Sequence, residues 1–174
     1  VFNPMGYVKS GLVTYSKYLT MGSTRYSLPV EESGIVRYFK LDRAMIETII
    51  PLENGKKLYL VDIHLSAYDQ GGIIKKKQTE YIIDYIKSVY DGDNYMLIGG
   101  DWNQLLNPEL LDRYGENVPD WLGTLPEEID DLSFNLAFDS SSNTVRDNAT
   151  PYTKGENFAT VIDGFLISPN LEII

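Results

Sequence analysis

Asp101 and Asn103 stand two residues apart behind paired glycines, in Gly99-Gly100-Asp101-Trp102-Asn103. In an extended segment, residues two apart project to the same side, so this spacing offers one carboxylate and one amide to a shared ligand. The carboxylate can take a proton from water or meet Mg²⁺, and the amide can hydrogen-bond a phosphate oxygen without adding negative charge. The same residue types also build ordinary turns, and glycine permits close backbone approach in either case. His64 is the single histidine. It can donate a hydrogen bond to charge developing on a phosphoryl oxygen, or serve as a satisfied structural residue. With one histidine and no cysteine, sites built on several imidazoles or on thiolates are excluded, as are disulfides. Asp163 interrupts an apolar run, where a buried carboxylate needs a partner: a local hydrogen bond, or an imidazole to orient. Arg43 can bridge to a core carboxylate or meet an anionic substrate. Lys75, Lys76 and Lys77 are expected on a solvated face.

Apolar strands have to carry these groups to one place. Gly11 to Ser16 alternates in β-forming residues and predicts a strand, with Thr24 to Leu28 pairing back on it. Ile35 to Leu41 and Met45 to Ile50 predict two more, and Asn54-Gly55 signals the hairpin turn into Lys57 to Leu65. Leu58 to Ile63 is apolar almost without interruption, which suggests a buried strand. From Ile73 to Tyr90, the residues Ile74, Tyr81, Ile82, Tyr85, Ile86 and Val89 recur at helical spacing on one face. Tyr95 to Ile98 is then a short strand running into the glycine pair, completing a strand, helix, strand unit. Asn103 to Asp131 reads as a long loop with short helical turns. Leu132 to Phe138 resumes as a strand, and Ala159 to Ile167 forms a last one around Asp163. Functional groups commonly sit just beyond strand ends, so His64, Asp101 and Asp163 are candidates for a single site.

The chain has 174 residues, 43% of them hydrophobic, enough for one sizeable core. Its 15 basic and 25 acidic residues give a net charge of −10, which opposes sequence-independent binding to polyphosphate surfaces. An acidic balance is what a site collecting divalent cations would tolerate, although acidic bacterial-type surfaces with no metal are far commoner. No run of about eighteen apolar residues suggests a membrane span.

Taken in order, His64-Leu-Ser-Ala-Tyr-Asp69, Gly99-Gly-Asp-Trp-Asn103 and Ile162-Asp-Gly-Phe-Leu-Ile-Ser168 resemble the endonuclease/exonuclease/phosphatase, or DNase I-like, family. Leu12-Val-Thr-Tyr-Ser-Lys17 is similar to an earlier strand of that family. The resemblance implies an α/β (α+β) fold, a sandwich of two mixed β-sheets flanked by helices. Residues 1–174 would be the larger C-terminal part of one such domain, truncated at both ends. It further implies a hydrolase that cleaves phosphodiester or phosphomonoester bonds with an activated water and Mg²⁺ or Mn²⁺. In that picture Asp101 positions or deprotonates the water and meets the metal, Asn103 holds the scissile phosphate, and His64 stabilises the phosphorane-like transition state. Asp163 orients a second histidine, while Tyr68 and Arg43 contact substrate. Tyr68, Trp102 and Trp121 are also candidates for stacking on a base or touching a lipid, or for packing.

The family's metal-binding Glu is not found between Val1 and Gly11, and its final Ser-Asp-His would follow Ile174. The expectation is therefore an active parent phosphoesterase and a weak or inactive piece of it. Rival readings are a non-catalytic binding or scaffold module of the same fold, and an unrelated acidic interaction domain. Nucleic acid, phospholipid headgroups and nucleotides share the relevant phosphoryl chemistry. Missing strands would leave sheet edges and apolar surface open to self-association.

Overall fold

Sheet formation is anchored at Asn54-Gly55. Gly55 takes φ 82°, a left-handed conformation that glycine adopts without steric cost. Its N–H donates to Leu52 O at 3.0 Å, and Leu52 N–H donates to Lys56 O at 2.9 Å. This turn joins β2 (Ala44–Pro51) to β3 (Lys57–His64) in an antiparallel ladder. The structure is a computed structural model that describes residues 10–30, 40–67, 69–112, 118–149, 151–153 and 156–174. Its main sheet has six strands in the order β1-β2-β3-β4-β10-β7, where β1 is Gly22–Ser27, β4 is Tyr95–Asp101, β7 is Asn135–Ala137 and β10 is Asp163–Ile167. Among the described strands of this sheet, only β3 and β4 run parallel. A parallel pair needs a crossover, and α1 (Ile73–Val89) supplies it.

The helix covers one face of the sheet. Ile82, Ile83, Tyr85 and Ile86 pack there against Met45, Val61, Ile63, Met96, Ile98 and Leu166. Burying each large aliphatic side chain contributes roughly 1.5–3 kcal/mol before entropy is counted. Tyr81, expected on this face, lies at its rim and is exposed. The opposite sheet face is more open, and Phe165 on it is 48% exposed. This is why β3 is not buried on both sides as its apolar run suggested: Val61 and Ile63 face the helix, whereas Leu58 and Leu60 are only half-buried.

Four short strands form two satellite pairs. β5 (Gln104–Leu105) runs parallel to β6 (Gly123–Thr124), and β8 (Val145–Arg146) antiparallel to β9 (Ala159–Thr160). Between β5 and β6 lies the short α2 (Glu109–Asp112), so the predicted loop of helical turns also carries strand pairing. Among the described residues, no helix is long and apolar enough to cross a membrane.

Two strand expectations are corrected. Residues 10–21 form no strand: β1, expected to pair with Gly11 to Ser16, pairs along β2 instead. The segment instead meets the open sheet face, where Thr14 donates its hydroxyl hydrogen to the Asp62 carboxylate. The predicted last strand is two strands. Trp102 N–H takes Ile162 O at 2.9 Å, and Thr144 Oγ1 accepts from the N–H groups of Ile162 and Asp163, so the ladder breaks there. Ile35 to Leu41 falls mostly outside the described residues.

Candidate active site

His64 is the last residue of β3, Asp101 the last of β4 and Asp163 the first of β10. The register sets His64 beside Asp101, and Asp101 beside Asp163. Residues directly opposite on neighbouring strands share a face, so the three side chains form a row across the sheet. Strand alternation puts that row on the face away from α1, since Ile63 points into the core. Asp163 is therefore neither buried nor in mid-strand as expected: it opens β10 and is half-exposed.

Glycine makes the row possible. Gly100 has φ 139°, and a Cβ there would lie 2.1 Å from Ile63 O. Only a residue without a side chain lets β4 pass β3 this closely just before Asp101. His64 Nε2 lies 3.4 Å from Asp101 Oδ2, with the side chains 44% and 27% exposed. Burial raises the Asp101 carboxyl from 3.8 to about 6, and Asp163 adds to the rise, while the Asn103 N–H, Arg43 and Lys75 oppose it. Burial and then Arg43 hold His64 below its ordinary pKa, against the pull of Asp163. At neutral pH the imidazole is thus uncharged beside an ionised Asp101, and their contact is not an ion pair.

Asn103 closes the turn after β4. Its N–H donates to Asp101 Oδ1 at 2.8 Å, and its side-chain Nδ2 donates to Leu65 O at 3.0 Å. The residue is buried and takes φ 51°, a left-handed conformation that asparagine tolerates better than most residues. Leu65 N–H donates to Asp101 O at 2.9 Å, so the ends of β3 and β4 are laced together. One amide hydrogen of Asn103 is already used in this lacing.

Arg43 immediately precedes β2, and its backbone carbonyl accepts from Leu28 N–H at 2.9 Å. Together with Arg25, Leu12, Asp42, Ile46 and His64 it lines a groove beside the row. Burial lowers the Arg43 pKa and Asp101 works against that; the guanidinium stays charged at any ordinary pH. Arg25 escaped the sequence reading, because it reaches the groove only through the pairing of Arg25 with Ile46 across β1 and β2.

Several other expectations change. Lys75 is not on a solvated face but is 1% exposed, and its ammonium donates to Asn103 O at 3.2 Å and to Trp121 O. Lys76 and Lys77 are exposed as expected. Gln78 is fully buried, accepting from Ser66 N–H at 2.8 Å and donating to Ser66 Oγ and Pro29 O. Trp102 is fully buried with its indole N–H on Gly164 O at 3.2 Å, so it packs and cannot stack on a ligand. Tyr68 lies outside the described residues.

Asp101 and Asp163 are hard oxygen donors of the kind Mg²⁺ and Mn²⁺ accept. Among the described residues no group of three or more His, Cys, Asp or Glu could hold a metal ion. A cation held by these two carboxylates would need water and substrate phosphate to complete its coordination, as Mg²⁺ commonly does.

No protein-family model and no curated protein matches the chain. Similar solved structures do exist. ANGEL2, a 2',3'-cyclic phosphatase, superposes with a TM-score of 0.55 at 11% identity, over 88% of this chain and 56% of that one. The human Nocturnin catalytic domain with bound sulfate gives 0.51 at 16% identity, over 87% of this chain and 48% of that one. An endonuclease/exonuclease/phosphatase from Beutenbergia cavernae DSM 12333 gives 0.50 at 17%, over 88% and 39%. The chain thus spans about half or less of the length of these proteins, and at such identities the likeness is one of architecture: it has the DNase I-like fold of the endonuclease/exonuclease/phosphatase proteins.

Proposed function

We propose that the protein is a phosphoesterase in which a water attacks phosphorus, and that residues 1–174 hold part of the machinery. The observation that carries this reading is the His64, Asp101, Asp163 row beside the Arg43 groove. Asp101, with a carboxyl pKa of about 6, is suited to orient a water and accept its proton near neutral pH. The water oxygen forms a bond to phosphorus as the bond from phosphorus to the leaving oxygen breaks, and that oxygen departs with the electron pair. Neutral His64 donates a hydrogen bond to a non-bridging oxygen as charge grows on it. Arg43 attracts the phosphoryl group, and Asn103 holds the Asp101 turn while offering its remaining amide hydrogen to substrate. A divalent cation held by Asp101 and Asp163 would, when bound, polarise the phosphoryl oxygen.

The substrate class is a phosphate ester, as in the 2',3'-cyclic phosphatase of similar fold. A net charge of −10 disfavours long nucleic acid relative to a short or single phosphate ester. The second reading is a binding or scaffold module of the same fold. It is favoured by Asn103 and Asp101 Oδ1 being occupied by each other and by Leu65, as in a self-satisfied structural turn.

Hydrolysis of bis-p-nitrophenyl phosphate by residues 1–174 separates the two. Slow release that needs Mg²⁺ or Mn²⁺ and disappears in Asp101→Ala is expected. A rate that Asp101→Ala leaves intact, or a folded chain with neither turnover nor phosphate binding, removes the phosphoesterase reading.

A further inference from the structure

Lys75 is the one cation buried in the helix side of the fold among the described residues, and no step above uses it. An ammonium taken out of water costs several kcal/mol unless its donors are satisfied. Here they meet main-chain carbonyls, Asn103 O and Trp121 O, rather than a carboxylate at ion-pair distance. The Lys75 backbone is fixed as well: its N–H donates to Asp69 Oδ2 at 2.7 Å, and Gly72 N–H donates to Asp69 O at 2.9 Å. Four residues on, Thr79 Oγ1 donates to Lys75 O and accepts from Gln104 Nε2, both at 3.0 Å. The first turn of α1 is therefore bonded at several points to the chain that follows Asp101. The ammonium also sits 6.0 Å from the centre of the Trp121 ring, and its field acts on Asp101.

A neutral residue would cost less in this place if the only need were packing. An ammonium gives three hydrogens and a fixed positive end, which suits a clamp on two carbonyls from separate loops. We propose that Lys75 is a positioning residue, whose ammonium clamps Asn103 O and Trp121 O and so holds the Asp101 to Asn103 turn in its reactive geometry. The inference rests on the phosphoesterase reading for its effect on rate, but the clamp itself is observable without turnover.

The test uses residues 1–174. In the unmutated protein, ¹⁵N NMR should show the Lys75 ammonium protons exchanging slowly with water; an ammonium that exchanges freely overturns the clamp. In Lys75→Met and Lys75→Cys, the Asn103 amide should exchange at least about tenfold faster while the amides of β2 stay protected. Hydrolysis should lose about tenfold in kcat with KM nearly unchanged, the size typical of a lost outer contact. Because the chain has no other cysteine, bromoethylamine converts Lys75→Cys alone into a lysine analogue. That product should regain slow Asn103 exchange and the lost rate together. Unchanged Asn103 exchange in a folded Lys75→Met, or aminoethylation without recovery, refutes the proposal. If Lys75→Cys does not fold, aminoethylation of the unfolded chain must restore folding and Asn103 protection together; folding without that protection refutes it equally. Should the unmutated chain show neither turnover nor phosphate binding, the phosphoesterase reading fails while the two exchange measurements still decide the clamp.

Discussion

His64 Nε2 and Asp101 Oδ2 face each other at 3.4 Å across the parallel pair β3 and β4 of the main sheet. The two residues end strands that α1 connects, so both groups emerge at the same sheet edge. Each is partly open to water while resting on a rigid ladder. From this arrangement follow effects that stability and rate measurements can separate.

Replacing His64 by Gln should change stability by less than about 0.5 kcal/mol, since its half-exposed ring fills no core space. Phosphate-ester hydrolysis should nevertheless fall on the order of a hundredfold, as when one donor to a developing oxyanion is lost. Urea unfolding and initial rates on the same sample check this, and a variant with near-normal rate would remove His64 from the mechanism.

Asp101 should cost stability as pH rises. Its folded pKa of about 6 lies above the ordinary 3.8, so between these values the folded state binds the proton more tightly. The contribution is present in full below 3.8 and is lost as pH climbs through 6, by roughly 2–3 kcal/mol. Asp101→Asn keeps an acceptor for the Asn103 N–H and carries no charge. Unfolding measured in EDTA should show Asp101→Asn gaining on the unmutated chain between about pH 4 and about pH 7.5. A constant gap would contradict the assigned pKa.

Gly100→Ala places a methyl carbon 2.1 Å from Ile63 O, at φ 139°, against backbone that cannot swing aside. A loss above about 4 kcal/mol, or failure to fold, is expected. Gly55→Ala, with open space around its Cβ, suffers only the φ penalty of about 1–2 kcal/mol. Thermal melts of the pair should rank in that order.

Asn103→Ala removes the bond to Leu65 O, leaves a buried carbonyl short of a partner and keeps a positive φ. A loss of about 1–3 kcal/mol is expected. Asn103→Gly, which relaxes the backbone, should lose less. Equal losses would mean that the left-handed conformation carries no cost at this turn.

Much of this geometry was legible in the residues because its causes are local. Asn54-Gly55 dictates its own turn, the spacing of Ile82 and Ile86 dictates a helical face, and Gly99-Gly100-Asp101 announces a strand end with close backbone approach. What escaped depends on distant partners. Lys75 reads as a surface lysine until the chain 28 and 46 residues further on supplies its two carbonyls. Arg25 enters the groove only because β1 takes the edge of β2, whereas the residue pattern pairs this strand with the alternating Gly11 to Ser16 segment. Asp163 seemed to break one strand, whereas Thr144, 19 residues earlier, marks where two strands meet.

The place of β10 in the sheet also bears on how the site comes into being. This strand inserts between β4 and β7, although Gly164 lies 62 residues beyond Trp102 in the chain. Contacts that span so much sequence close late and slowly, after nearby hairpins and crossovers have formed. During synthesis, the β2, β3, α1 and β4 unit can assemble with His64 and Asp101 already paired and no second carboxylate beside them. Asp101 thus gains Asp163 as a neighbour only when β10 docks, which makes its acidity a reporter of that docking.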